Sequence, residues 1–165
     1  MLCTWAVEHD VTGVGVDISE VFFAAARRRA DDLEVSDRIT LVHADAARYV
    51  TEAEQQFDVV SCLGATWIGD GLVGTLGQMR PRVKPDGLVV VGEPYWIEPP
   101  PPGVSVPAVA GGDFESLVGT LDRVEAAGRS RGALRVDQRS SAQLRRCRAA
   151  APRLGCVRSS SSLVP

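Results

Sequence analysis

Val11-Thr12-Gly13-Val14-Gly15-Val16-Asp17 and Ile39-Thr40-Leu41-Val42-His43-Ala44-Asp45 are the two stretches that decide the fold. Each is a short run, mostly apolar and rich in β-branched residues, that closes on an aspartate. Near-continuous apolar runs of this length fit strands buried on both faces of a parallel sheet. The segment between them, from Ser19 to about Val35, reads as a helix. Ser19 is a good N-cap, and Glu20 suits the positive end of the helix dipole. Val21, Phe22, Ala25, Ala26 and Leu33 form the expected apolar stripe. Arg27, Arg28 and Arg29 fall mostly outside it and read as a solvated face in preference to a phosphate patch.

Upstream, Met1 to Asp10 resembles the end of a helix, with Leu2, Trp5 and Ala6 on one face. Downstream, 36–38 is a turn and 47–54 a short helix. Phe57 to Leu63 is a third strand ending at Gly64. Leu72 to Val83 is helical by pattern, but Gly74 and Gly77 weaken it and Pro81 should kink or end it. Lys84-Pro85-Asp86-Gly87 reads as a tight turn before a fourth strand, Leu88 to Glu93. Pro99 to Pro102 reads as a stiff connector in preference to a polyproline ligand. Asp113 to Ala127 is an amphipathic helix with Gly128 as its natural end. Strands and helices therefore alternate, which predicts an α/β fold with a doubly wound, mostly parallel sheet.

The bulk properties set bounds. A chain of 165 residues fits one domain with a buried core. A formal charge of -3 gives no reason to expect nucleic acid. Cys3, Cys62, Cys147 and Cys156 are widely spread with no CxxC pair, against a zinc site and against a disulfide framework. No apolar run approaches a membrane span, and the N-terminus lacks the pattern of a signal peptide. The expectation is a cytoplasmic protein without metal or membrane.

In open α/β sheets, ligands sit outside the carboxyl ends of the strands. Asp17 and Asp45 close two such strands at one edge, where one carboxylate can accept both ribose hydroxyls and the other an adenine amino group. Gly-Val-Asp-Ile-Ser at 15–19, His-Ala-Asp-Ala at 43–46, Phe-Asp-Val-Val at 57–60 and Val-Lys-Pro-Asp-Gly at 83–87 stand in a fairly specific order. Over residues 1–128 the chain resembles a class I adenosylmethionine-dependent methyltransferase with a Rossmann-like sheet. The resemblance implies S-adenosylmethionine as cofactor and methyl transfer to a small-molecule substrate. It assigns the ribose to Asp17, the adenine face to Ile18, the adenine edge to Asp45 and Ala46, and the methionine end to Gly64 and Ala65. Gly-Glu-Pro-Tyr-Trp at 92–96 resembles a small-molecule branch near the quinone-biosynthesis enzymes. Trp67, Tyr95 and Trp96 follow strand ends and are candidate substrate-lining residues; Glu93 and Tyr95 are the catalytic candidates.

Each assignment has a plainer alternative. Asp17 could be a helix N-terminal acid, and Asp45 the cap of the next helix. His43 reads as a strand residue facing a helix layer, not as a base. The three aromatics could be core or surface.

Two departures from the family shape the expectations. No Gly-rich turn precedes Leu2, so the family's first strand, with the amides that hold the methionine end, is expected to be missing. After Gly128 the family adds further strands, whereas 129–165 is a mixture of Arg, Ser and Ala. Residues 123–165 hold ten arginines and two acids, and the whole chain has 17 arginines to one lysine. That composition fits an out-of-frame reading of a GC-rich gene, so the tail is expected to be disordered. The C-terminal strands are then missing, and the chain is an incomplete methyltransferase domain with weak cofactor binding. The competing expectations are a non-catalytic remnant that binds at most a nucleoside, and an NAD(P)-binding protein on a related sheet.

Overall fold

The computed structural model describes residues 1–52, 54–98, 101 and 114–128, together with the backbone alone of 154–160. Its contacts form two units, Met1–Ala53 and Glu54–Pro165, each with its own sheet.

The first unit runs α1 (Leu2–His9), β1 (Gly13–Asp17), α2 (Glu20–Asp32), β2 (Ile39–His43) and α3 (Ala46–Glu52). β1 and β2 pair in parallel, from Gly13 opposite Ile39 to Asp17 opposite His43. A parallel pair needs a long crossover, which α2 supplies. Its core is Cys3, Ala6, Ala30, Val35 and Ile39, in which the small Cys3, Ala6 and Ala30 let helices lie close to the strands. Arg38 ties the unit together by donating to the Ala6 carbonyl at 2.7 Å and to Asp10 Oδ1 at 2.6 Å.

Ser19 caps α2 as expected, its Oγ accepting from the Phe22 N–H. The apolar stripe is displaced. Val21 and Phe22 are 73% and 66% exposed, whereas Ala30 is buried and Phe23, Ala26 and Leu33 are half-buried. Positions 23, 26, 30 and 33 satisfy the same helical period. A run of adjacent Phe and Ala residues does not reveal which phase faces inward. The helix closes with the Val35 N–H on the Ala30 carbonyl and the Glu34 N–H on the Asp31 carbonyl. These are the two bonds of a Schellman motif, with Glu34 at φ 54° where glycine is usual.

The second unit contains β3 (Phe57–Leu63), a 3-10 turn (Thr66–Gly69), α4 (Leu72–Met79), a second 3-10 turn (Arg80–Arg82), β4 (Val83–Trp96), α5 (Leu117–Ala127) and β5 (Leu154–Ser160). The sheet order is β3-β4-β5, with β3 and β4 parallel and β5 antiparallel to β4. Leu72, Leu76 and Val91 form the core, and Val89, Val124 and Ala127 pack against it.

Several expectations are corrected here. The α-helix expected to reach Val83 stops at Met79 and tightens to a 3-10 turn at Pro81. Lys84-Pro85-Asp86-Gly87 does not end a strand. Phe57 pairs with Val83 and Val59 with Leu88, so 84–87 bulge opposite Asp58 within one long β4. The turn chemistry is still visible in Asp86, at φ 66°. α5 begins at Leu117, because Ser116 Oγ accepts from the Gly119 N–H and caps it. The expected start at Asp113, and most of the proline run, lie outside the described residues. β5 falls in the tail expected to lack order and in the place of strands expected to be missing. Its backbone pairs antiparallel with β4, from Val90 opposite Ser160 to Trp96 opposite Leu154. The edge of β4 offers unpaired N–H and C=O groups that an extended segment can meet. The rest of the tail, 129–153 and 161–165, lies outside the described residues.

Candidate functional site

In the first unit, the parallel register sets Asp17 at the end of β1, opposite His43, with Asp45 two residues further on. The Ser19 N–H donates to Asp17 Oδ1 at 2.8 Å, and the Ala44 N–H to the Asp17 carbonyl at 3.1 Å. One carboxylate oxygen is thereby fixed, and no described residue donates to Oδ2. Ile18, the next residue, is 60% exposed. His43 stacks at 5.2 Å on Phe23 of α2, and its Nε2 lies 3.0 Å from the Ile18 carbonyl. A carbonyl only accepts, so Nε2 carries the hydrogen. His43 therefore faces the helix layer and steadies the backbone beside Ile18. Asp45 Oδ1 accepts from the Ala47 N–H at 2.8 Å, and its carbonyl from the Tyr49 N–H at 2.9 Å. It caps α3, as the plainer reading had it, and its exposed carboxylate also stands at the strand edge.

In the second unit, Gly64 leaves β3 at φ 69°, its N–H donating to the Gly92 carbonyl at 2.9 Å. A side chain there would meet no protein atom within 4 Å, so a ligand can approach this backbone. Ala65 follows; its N–H reaches the buried thiol of Cys62, whose pKa burial raises. Trp67 is 50% exposed on the 3-10 turn. Trp96 is half-buried, edge-on to Phe114 at 6.0 Å, with its N–H on the Glu115 carbonyl. Tyr95 and Glu93 are buried. Trp67 is thus the most open of the three aromatics.

Glu93 belongs to a polar cluster that sequence reasoning missed. Thr66 Oγ1 donates to Glu93 Oε2, Thr75 Oγ1 donates to the Thr66 carbonyl at 2.5 Å, and the Gly69 N–H donates to Thr75 Oγ1 at 3.1 Å. Arg123 of α5 adds a positive charge. Burial raises the Glu93 pKa, while the Thr66 hydroxyl and Arg123 oppose the shift. A buried threonine leaves no sequence signal, because in a helical or turn pattern it reads as a small filler.

Among the described residues, no group of three or more His, Cys, Asp or Glu could hold a metal ion, and no helix is long and apolar enough to cross a membrane.

A family model described as "Methyltransferase domain" matches residues 2–87. The chain belongs to the methyltransferase-domain family. Its class I resemblance and its α/β fold with parallel strands are both borne out. A crystallised SAM-dependent methyltransferase from Geobacter sulfurreducens, in complex with S-adenosyl-L-homocysteine, is 38% identical with a TM-score of 0.68. The match covers 77% of this chain and 51% of that one. Its counterpart from Thiobacillus denitrificans, in complex with the same molecule, is 35% identical with a TM-score of 0.69, over 84% of this chain and 57% of that one. The uncharacterized protein YjhP of Escherichia coli K12 is 48% identical over 100 residues, 61% of this chain and 40% of its own length. This methyltransferase-domain chain therefore spans about half the length of the relatives it matches.

Proposed function

We propose that this chain supplies the nucleoside-recognising part of an adenosylmethionine-dependent methyltransferase acting on a small molecule. The observation that carries the reading is the Asp17 carboxylate. It stands at the end of β1 with Oδ1 held by the Ser19 N–H, no described donor on Oδ2, and exposed Ile18 beside it. A ribose presents two neighbouring hydroxyl donors, which suit an acceptor held in this way. The two relatives crystallised with S-adenosyl-L-homocysteine support the choice of nucleoside.

The residues at the strand ends of the first unit suit the nucleoside. Asp17 takes the ribose hydroxyls, Ile18 the adenine face, and Asp45 with Ala46 the adenine edge. In the second unit the family resemblance gives Gly64 and Ala65 to the methionine end, and the open space over Gly64 leaves its backbone approachable. Adenosylmethionine brings a methyl group activated on a sulfonium. The chain's own contribution is to bind and orient, which is where much of the rate of such a transfer arises. Trp67 supplies an open apolar wall for the acceptor. Tyr95 and Trp96 are the other candidates for that wall in the same reading, and the burial of Glu93 and Tyr95 weighs against either as the base.

Calorimetric titration of the 165-residue chain with adenosine and with S-adenosyl-L-homocysteine tests this. Asp17→Ala should weaken both ligands by about 1.5–3 kcal/mol, the scale of hydrogen bonds to a charged acceptor. The loss should be equal for the two, since Asp17 meets only the ribose. Unchanged affinity would sink the assignment.

A further inference from the structure

We propose that Glu93 is a positioning residue: through the Thr66 hydroxyl it fixes the 3-10 turn that presents Trp67. Four elements converge on this point. Glu93 comes from β4, Thr66 from the 3-10 turn, Thr75 from α4 and Arg123 from α5. The turn is held from both ends. Thr66 donates to Glu93 with its side chain, and its carbonyl accepts from Thr75 Oγ1 and from the Gly71 N–H at 3.1 Å. At the other end the Gly69 N–H donates to Thr75 Oγ1. A Cβ on Gly74 would lie 1.9 Å from the Gly69 carbonyl oxygen, and one on Gly69 would lie 2.3 Å from the Thr75 nitrogen. The turn and α4 are therefore in backbone contact, with no room to slide.

Glu93, Thr66 and Thr75 are all buried, and none of their side-chain polar atoms is among the buried ones left without a partner in the described residues. A satisfied buried network specifies one geometry, because every alternative leaves a desolvated group unpaired. Trp67 adjoins Thr66 and stands half in solvent. Its indole has no comparable anchor of its own among the bonds described, so the turn sets its direction. What Trp67 would meet rests on the proposed methyl transfer; the anchoring of the turn does not.

The test uses the full chain labelled with 5-fluorotryptophan, read by fluorine NMR. The Trp67 resonance is identified by its loss in Trp67→Phe, and broadening by a soluble nitroxide reports its exposure. Thr66→Val and Glu93→Leu should shift the resonance and raise its broadening. The rise is bounded at about twofold, because the ring is already 50% exposed and local opening can at most bare the rest. Glu93→Gln keeps an acceptor for Thr66 and should stay close to the parent. A Trp67 signal unmoved by Thr66→Val would overturn the proposal, as would Glu93→Gln moving it as far as Glu93→Leu. If Glu93→Leu does not fold, the isosteric Thr66→Val decides alone. None of these readings depends on cofactor affinity, so their failure leaves the Asp17 assignment standing.

Discussion

Glu93 holds its proton to higher pH than an exposed glutamate, because burial penalises the charged form more than Thr66 and Arg123 favour it. The ordinary value is 4.5, and the folded value lies above it. Between the two, the folded chain binds more protons than the unfolded one, so stability falls as pH rises. This contribution is complete below pH 4.5 and lost as pH passes the folded value. Arg123 from α5 and Cys62 from β3 are the described ionisable groups that act on this carboxyl or feel its charge. Glu93→Gln stays neutral throughout. Its Tm relative to the parent should therefore climb as pH is raised from below 4.5, in a series of thermal melts. A constant difference across the series would refute burial as the dominant cause. Single residues were legible where polarity broke an apolar run: Asp17 and Asp45 stand out at the ends of their strands. The Glu93 cluster was not, since its four members come from four elements and no spacing links them.

At the scale of elements, α4 shows how two similar residues part company. Both Gly74 and Gly77 lower helix propensity. Gly74 is required by its contact with Gly69, whereas a Cβ on Gly77 would meet nothing within 4 Å. Gly77→Ala should therefore stabilise the chain by about 0.5–1 kcal/mol, the usual gain inside a helix. Gly74→Ala should destabilise it, since backbone must move to admit the methyl group. Denaturant midpoints of the two variants would decide, and equal shifts would contradict the contact. Strand and helix order were legible because apolar period and caps are local. The bulge in β4 was not: its turn residues look identical whether the chain reverses or resumes the same strand. Only pairing with β3 distinguishes the two. β5 was hidden for the same reason, being defined by the edge it covers.

For the molecule as a whole, two sheets imply unequal protection. The Met1–Ala53 unit has two strands and a core in which three of the five buried residues are Cys or Ala. Two-stranded sheets are marginal without helix packing. Amides of β1 and β2 should therefore exchange with solvent at lower opening free energy than those of β3 and β4. Adenosine should slow exchange in β1 and β2 through mass action, by about 2.7 kcal/mol at a hundredfold excess over Kd. Hydrogen exchange followed by mass spectrometry gives both readings. Uniform protection, or no response to adenosine, would count against this division of labour. The family was legible because its motifs recur in order along 1–128, whereas none of those motifs carries the chemistry of an acceptor.

Glu34, Asp70 and Asp86 share one backbone feature: all three hold left-handed φ values, between 54° and 66°. Asp10 does too, but it is paired with Arg38. Replacing the three by glycine would relieve up to about 1 kcal/mol each. It would also remove three negative charges from a chain whose formal charge is -3. The product would stand at neutrality, where colloidal repulsion vanishes and precipitation is favoured. At these three positions backbone conformation favours glycine while net charge favours the acid. A triple variant should melt higher than its parent yet show a lower solubility limit at neutral pH in a precipitation titration, with solubility returning at low pH.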